Sequence, residues 1–192
     1  DRDLPGGASP DQRSKNLPAL AGESVNHRDN GMGMDLIVRG YCREDYPAVC
    51  AIERENSPGS CKPEVFIRQA GILFTDTFLV AECAGRIVGY TIGALVQHQR
   101  ESGGVVRLVV SGEHRRRGFW ERLIVEVSDR LRKRGASEIY LSVAPGNHAA
   151  RVLYEKHGFR EADICPSYFG EGADRLILRR DLSGREGLIY SN

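Results

Sequence analysis

The stretch from Gly118 to Arg134 constrains the fold more than any other part of the chain. Its apolar residues Phe119, Trp120, Leu123, Ile124, Val127 and Leu131 recur at helical spacing, and Gly135 stands where a helix commonly ends in a left-handed residue. A run rich in β-branched residues, Val105–Val110, precedes it behind the break Gly103-Gly104, and a buried-type strand, Ile139–Val143, follows. Strand, helix, strand in that order predicts parallel neighbours joined by a crossover helix.

Upstream, Leu36–Arg39 reads as a short strand. Asp45 is placed to cap a helix with Pro47 in its first turn and Ala48, Val49 and Ile52 inward; Ser57-Pro58-Gly59 breaks it. A second short helix has Pro63 early, Val65, Phe66 and Ala70 inward, and Gly71 as its end. Phe78–Ala81 and Ile87–Ile92 flank Ala84-Gly85-Arg86 as a hairpin. Downstream, Asn147–His157 reads as a helix closed by Gly158, with strands near Phe159–Ala162 and Arg175–Arg179. The expected class is α/β (α+β): one mixed, mostly antiparallel, twisted sheet with helices on both faces. Residues 1–33, turn-rich and without sustained periodicity, are expected to be a disordered extension; 34–183 form the domain and 184–192 a tail. Met32 and Met34 offer alternative translation starts.

Composition narrows the function. With 27 basic against 26 acidic residues, the net charge is +1, so any anion binding must come from local clustering. That balance argues against a nucleic-acid partner, and no apolar run is long enough to cross a membrane. Five cysteines without a C-x-x-C pair argue against a zinc site or disulfide framework and fit the reducing cytoplasm. No metal is expected, and the chain is expected to be a monomer or homodimer.

The clustering occurs at His114-Arg115-Arg116-Arg117-Gly118, just before the long helix. A helix N-terminus carries about half a positive charge and four unpaired N–H groups, and cations there cost about 0.3 to 1 kcal/mol each. The arrangement makes sense if a multiply charged anion docks on the turn. Taken alone, the turn reads equally as a solvated basic loop. The spacing is neither a Walker loop nor a dinucleotide fingerprint.

A second motif, Asn147-x-x-Ala150-x-x-Leu153-Tyr154-Glu155-Lys156-x-Gly158-Phe159, aligns an amide and a phenol on one helix face. By itself this is more often the packing face of a core helix, with its Asn and Tyr satisfied structurally. Together, the two motifs resemble the GCN5-related N-acetyltransferase (GNAT) superfamily over about Leu36 to Leu182, most nearly the RimI-type and archaeal N-terminal acetyltransferases. The resemblance implies a GNAT-like acyl-CoA N-acyltransferase fold with acetyl-CoA as co-substrate. Backbone groups of Leu108, Val109 and Val110 would then pair with the pantetheine arm. Amides of the turn, Arg115, Arg116, Arg117 and Gly118, continuing through Phe119, Trp120 and Glu121, would hold the pyrophosphate. Asn147, beside Ala150, would bond the cofactor's amide region, and Tyr154 would protonate the departing thiolate. Tyr168 would meet the acceptor, a protein N-terminus or a small amine.

Two positions depart from the family. Trp120 replaces a Gly or Ala, and its indole must either crowd the pyrophosphate or turn into the core. Ser142 replaces a RimI-type Glu and at its ordinary pKa is no base; water held by Ser142, or Glu82, Glu113 or His98, would have to take the proton. A site without a base favours an α-amine, whose deprotonation at pH 7 costs about 1.2 kcal/mol against about 4.6 for lysine.

Overall fold

The computed structural model describes residues 36–57 and 62–184. The readings placed at 1–33, at Pro58-Gly59, at Cys61 and at most of 184–192 lie outside them. Strand β1 (Leu36–Gly40) leads through a short 3-10 turn (Arg43–Asp45) to α1 (Tyr46–Asn56) and α2 (Pro63–Leu73). The strands β2 (Phe78–Cys83), β3 (Arg86–Val96) and β4 (Gln99–Val110) then form a meander. A 3-10 turn (Gly112–His114) precedes α3 (Phe119–Lys133), followed by β5 (Glu138–Val143), α4 (His148–Lys156), β6 (Arg160–Cys165) and β7 (Arg175–Asp181). The seven strands run in the order β1-β2-β3-β4-β5-β7-β6, and only β4 and β5 are parallel. This is the mixed, mostly antiparallel sheet expected from the sequence.

Two apolar clusters cover its faces. On one, Leu123, Ile124, Val127 and Leu131 of α3 pack with Leu141 and Phe159; on the other, Val49, Ile52 and Ile67 of α1 and α2 pack with Phe78, Tyr90 and Val109. The alternation along β4 and β5 sends Leu108, Leu141 and Val143 toward α3, and Arg107, Val109, Tyr140 and Ser142 toward the other face.

Several local readings need correction. Gly103-Gly104 does not break β4, which begins at Gln99; a Cβ at Gly103 would lie 3.3 Å from the Leu131 and Ile139 side chains, so the glycine admits close packing instead. Gly71 lies inside α2, where a Cβ would come 2.7 Å from the Tyr41 ring. Val65 is exposed, and Ile67 with Ala70 forms the buried face. Asp45 stands at the α1 N-cap position without capping it; its carboxylate accepts from both Arg39 Nη atoms at 2.7 and 2.8 Å and from the Cys42 N–H. The hairpin turn is Ala84-Gly85, both at positive φ, with Arg86 already in β3. Strand β6 begins at Arg160 and reaches Cys165.

Gly89 shows how tightly β3 sits under α3. An added Cβ would approach the Val109 carbonyl oxygen to 2.8 Å and Leu123 Cδ1 to 3.3 Å. Backbone rather than a flexible side chain must yield. Gly89→Ala is therefore expected to destabilise the fold by about 1 to 3 kcal/mol, read as a melting point lower by roughly 2 to 4 °C per kcal/mol.

Candidate active site

The site begins with a fault in the sheet. Ile92 pairs with Arg107 and Gly93 with Val105, so Val106 is an extra residue bulged out of β4. Pairing of β4 with β5 covers only Ser102–Gly104 against Glu138–Tyr140, and beyond it the two strands separate. A cleft of about 1220 Å³ opens at this split, bounded by Val109 and Val110 of β4, the arginine turn, Trp120, and Asn147 and Ala150 of α4. The unpaired edge of β4 there can accept an extended ligand as an added strand.

The turn at the mouth of the cleft is held from outside. Glu55 Oε1 accepts from the Gly112 N–H at 3.0 Å, and Asn56 Oδ1 from Arg115 Nη2 at 2.6 Å. His114 Nδ1 lies 3.0 Å from Ser111 Oγ, and its ring meets Phe119 edge-on. Arg116 and Gly118 adopt positive φ (60° and 81°). For a non-glycine residue that conformation costs about 1 to 3 kcal/mol, and it recurs where backbone is shaped for a ligand. No side chain caps the N-terminus of α3. The one acidic residue in its first turn, Glu121, lies instead 3.3 Å from Nε2 of His157, the C-cap of α4. The turn thus combines unclaimed helix amides with exposed Arg116 and Arg117, which is the chemistry of a site for a multiply charged anion.

Trp120 turns toward α4. Its ring is 4.7 Å from Tyr154 and 5.7 Å from His157, leaving the amides of Arg116–Gly118 open to the cleft. The indole has a second effect: Tyr154 sits behind it, 8% exposed and also edge-on to Phe159, rather than on the cleft wall. The small residue of the family would leave that space open, so a ligand that reaches the phenol must shift the indole. Burial pushes the Tyr154 phenol up to about 12, opposed by a hydrogen bond with Trp120.

The remaining candidates divide. Asn147 is the N-cap of α4, its Oδ1 accepting from Ala150 N–H at 3.2 Å; its amide NH₂ is what remains for a ligand. Phe119 is buried in the α3 core and Leu108 packs against it, so neither side chain lines the cleft. Ser142 is half-buried on β5 opposite Ile177 of β7, off the cleft wall. Tyr168 is half-exposed in the β6–β7 loop, against the Phe169 ring. Of the three alternative bases, Glu82 accepts from Arg39 two strands away and His98 lies in the β3–β4 turn, at the end of β4 remote from Val110. Glu113 does line the cleft, but at the arginine turn. The roles of Glu55 and Asn56 were not readable, because their partners lie 57 and 59 residues away. Among the described residues, no group of His, Cys, Asp or Glu could hold a metal ion, and no helix is long and apolar enough to cross a membrane.

Comparison with known proteins agrees with this geometry. The chain is 27% identical over 164 residues to an N-alpha-acetyltransferase of Saccharolobus solfataricus, covering 78% of this chain and 95% of that one. It is 27% identical over 125 residues to the [ribosomal protein bS18]-alanine N-acetyltransferase of Escherichia coli, covering 65% and 81%. The fold matches that of Arabidopsis thaliana Naa50, solved in complex with the bisubstrate analogue CoA-Ac-MVNAL, with a TM-score of 0.66 at 20% identity over 76% of this chain and 98% of that one. The model of the acetyltransferase (GNAT) family matches residues 46–159, more than half of the chain, and the chain belongs to that family.

Proposed function

We propose that the protein transfers the acetyl group of acetyl-CoA to a protein N-terminal α-amine, by direct attack within a ternary complex. The uncapped, arginine-lined N-terminus of α3 beside the split of β4 and β5 carries this reading. It suits a donor with a pyrophosphate at one end and an extended amide arm at the other. Arg115–Gly118 hold the pyrophosphate, the edge of Val109 and Val110 takes the arm, and the Asn147 amide faces the arm's carbonyl groups. The amine lone pair attacks the thioester carbonyl, the C–S bond breaks, and the thiolate leaves under a hydrogen bond from Tyr154. The surplus amine proton passes to water.

The acceptor follows from what the cleft lacks. Its carboxylates among the described residues, Glu113 and Glu121, stand at the phosphate end. Without a base at the reacting end, an α-amine that is partly neutral at pH 7 is the better nucleophile than lysine, by the difference of about 3.4 kcal/mol in deprotonation cost. The names of the relatives, which act on N-termini, point the same way. Ser142 and Tyr168 lie on the acceptor side, Ser142 holding water and Tyr168 meeting the peptide. The domain spans 34–183 and acts in the cytoplasm as a monomer or homodimer.

Calorimetric titration with acetyl-CoA, followed by thiol release with N-terminal peptides and small amines, tests the reading. Binding with turnover on peptides is expected. Binding without turnover on any amine would make the protein an acyl-CoA sensor, a role that the cover of Trp120 over Tyr154 would suit. Turnover on small amines alone would move the acceptor class.

A further inference from the structure

A buried polar cluster between α1 and the β3–β4 pair has no part in the steps above. Glu53 of α1 is 7% exposed, in a helix face otherwise made of Val49, Cys50 and Ile52. Its carboxylate takes a fork from Arg107 of β4, Nε at 3.1 Å and Nη2 at 2.9 Å, and a short hydrogen bond from the hydroxyl of fully buried Tyr90. Arg107 Nη2 also donates to Ser57. Burial and the hydrogen bond to Glu53 raise the Tyr90 phenol, so it stays a donor at any working pH.

A buried ion pair of this kind is seldom worth its desolvation for stability alone. Arg107 is moreover only part of the way in: its side chain is about a third exposed, and its Nη1 makes no hydrogen bond to the described residues. It stands two residues before Val109 on the same face of β4, roughly 7 Å along the strand from the cleft wall. Glu53 and Ser57 thus lock one edge of a guanidinium, with Tyr90 of the neighbouring strand fixing Glu53, and leave the other edge free on the face of β4 that carries Val109 of the cleft wall. Because Glu53 neutralises the charge, that free edge is a donor for a neutral oxygen. A carboxylate would put a second negative charge on one guanidinium.

We propose that Arg107 is a specificity residue, which takes the first carbonyl oxygen of a peptide acceptor through Nη1 and so selects an α-amine followed by an amide; this rests on the α-amine reading above. Glu53, Tyr90 and Ser57 are positioning residues that hold the fork. Selection works through acceptor binding, so it appears in KM rather than kcat.

The test uses the full chain with acetyl-CoA and three acceptors: alaninamide, alanine and 1-aminopropane. The wild type is expected to prefer alaninamide to both others. Arg107→Lys keeps a charge beside Glu53 but loses the fork; it should raise the KM for alaninamide roughly tenfold to a hundredfold, the range for one hydrogen bond from a charged donor. Turnover of 1-aminopropane and affinity for acetyl-CoA should not move. Glu53→Gln leaves Arg107 with an uncompensated charge and should shift preference toward alanine, a reversal that loss of stability would not produce. Equal losses on alaninamide and 1-aminopropane, or an unchanged alaninamide KM in Arg107→Lys, would overturn the assignment while leaving the α-amine reading intact. If the wild type acetylates 1-aminopropane as well as alaninamide and ignores peptides, both readings fail together.

Discussion

Gly118→Asp is expected to abolish acetyl-CoA binding in a protein that still folds. Gly118 is the N-cap of α3 at φ 81°, and an added Cβ there would have no protein atom within 4 Å. Aspartate tolerates the left-handed region better than most residues. The left-handed backbone at Gly118 does not aim a side chain at the first-turn amides as an extended N-cap would, but it leaves the carboxylate beside the positive end of the helix. Thermal stability should therefore fall by only about 1 to 3 kcal/mol, the cost of a non-glycine residue at positive φ. The same carboxylate would repel an anion docked on those amides. One like-charge contact at 4 Å near a protein surface is worth about 4 kcal/mol, roughly a thousandfold in affinity. Calorimetry measures this directly, and Trp120, the only tryptophan in the chain, gives a second readout from the cleft wall. Retained affinity in a folded Gly118→Asp protein would mean that the arginine turn does not hold the donor.

Tyr154→Phe should lower kcat by about tenfold to a hundredfold with acetyl-CoA affinity unchanged. The phenol, at about 12, lies some 3.5 units above an ordinary thiol near 8.5. Full proton transfer from it to the leaving thiolate would be uphill by about 5 kcal/mol. In the proposed mechanism it is therefore a hydrogen-bond donor to the charge that develops on sulfur, worth about 1.5 to 3 kcal/mol in the transition state alone. Phenylalanine keeps the ring contacts with Trp120 and Phe159, so the loss falls on chemistry rather than on the fold. The sign of the pH dependence follows. The phenol works in its protonated form, and a raised value keeps it protonated through pH 10. Peptide acetylation should rise as the α-amine loses its proton near 7.7 to 8.0 and then hold a plateau. A descending limb between pH 8 and 10 that vanishes in Tyr154→Phe would contradict this assignment.

What could be read in advance was whatever rests on local periodicity. The α3 pattern and its flanking strands gave the parallel pair, and turn residues gave the order of elements. Glycines misled wherever their reason was packing: Gly103 and Gly71 admit Leu131 and Tyr41, and neither ends its element. The bulge at Val106 leaves no local mark, because a bulge is a relation between two strands. The same holds for the pin from Asn56 to Arg115 and the fork from Arg107 to Glu53, whose partners are 59 and 54 residues apart. Trp120 stands out in the sequence as a departure from the family, and its direction depends on α4. An indole next to a phenol and a histidine ring packs with them, which keeps the amides of the arginine turn free and puts Tyr154 under cover.

Transfer of acetyl to an α-amine is tested most directly by locating the group on a peptide that offers both amines. The full chain would be incubated at pH 7 with acetyl-CoA and a peptide carrying an N-terminal alanine and an internal lysine, and the product fragmented in a mass spectrometer. Acetyl on the N-terminal nitrogen, with the lysine unmodified, is the predicted result. Acetyl on the lysine side chain, or a recovered peptide with no acetyl at all, would contradict it.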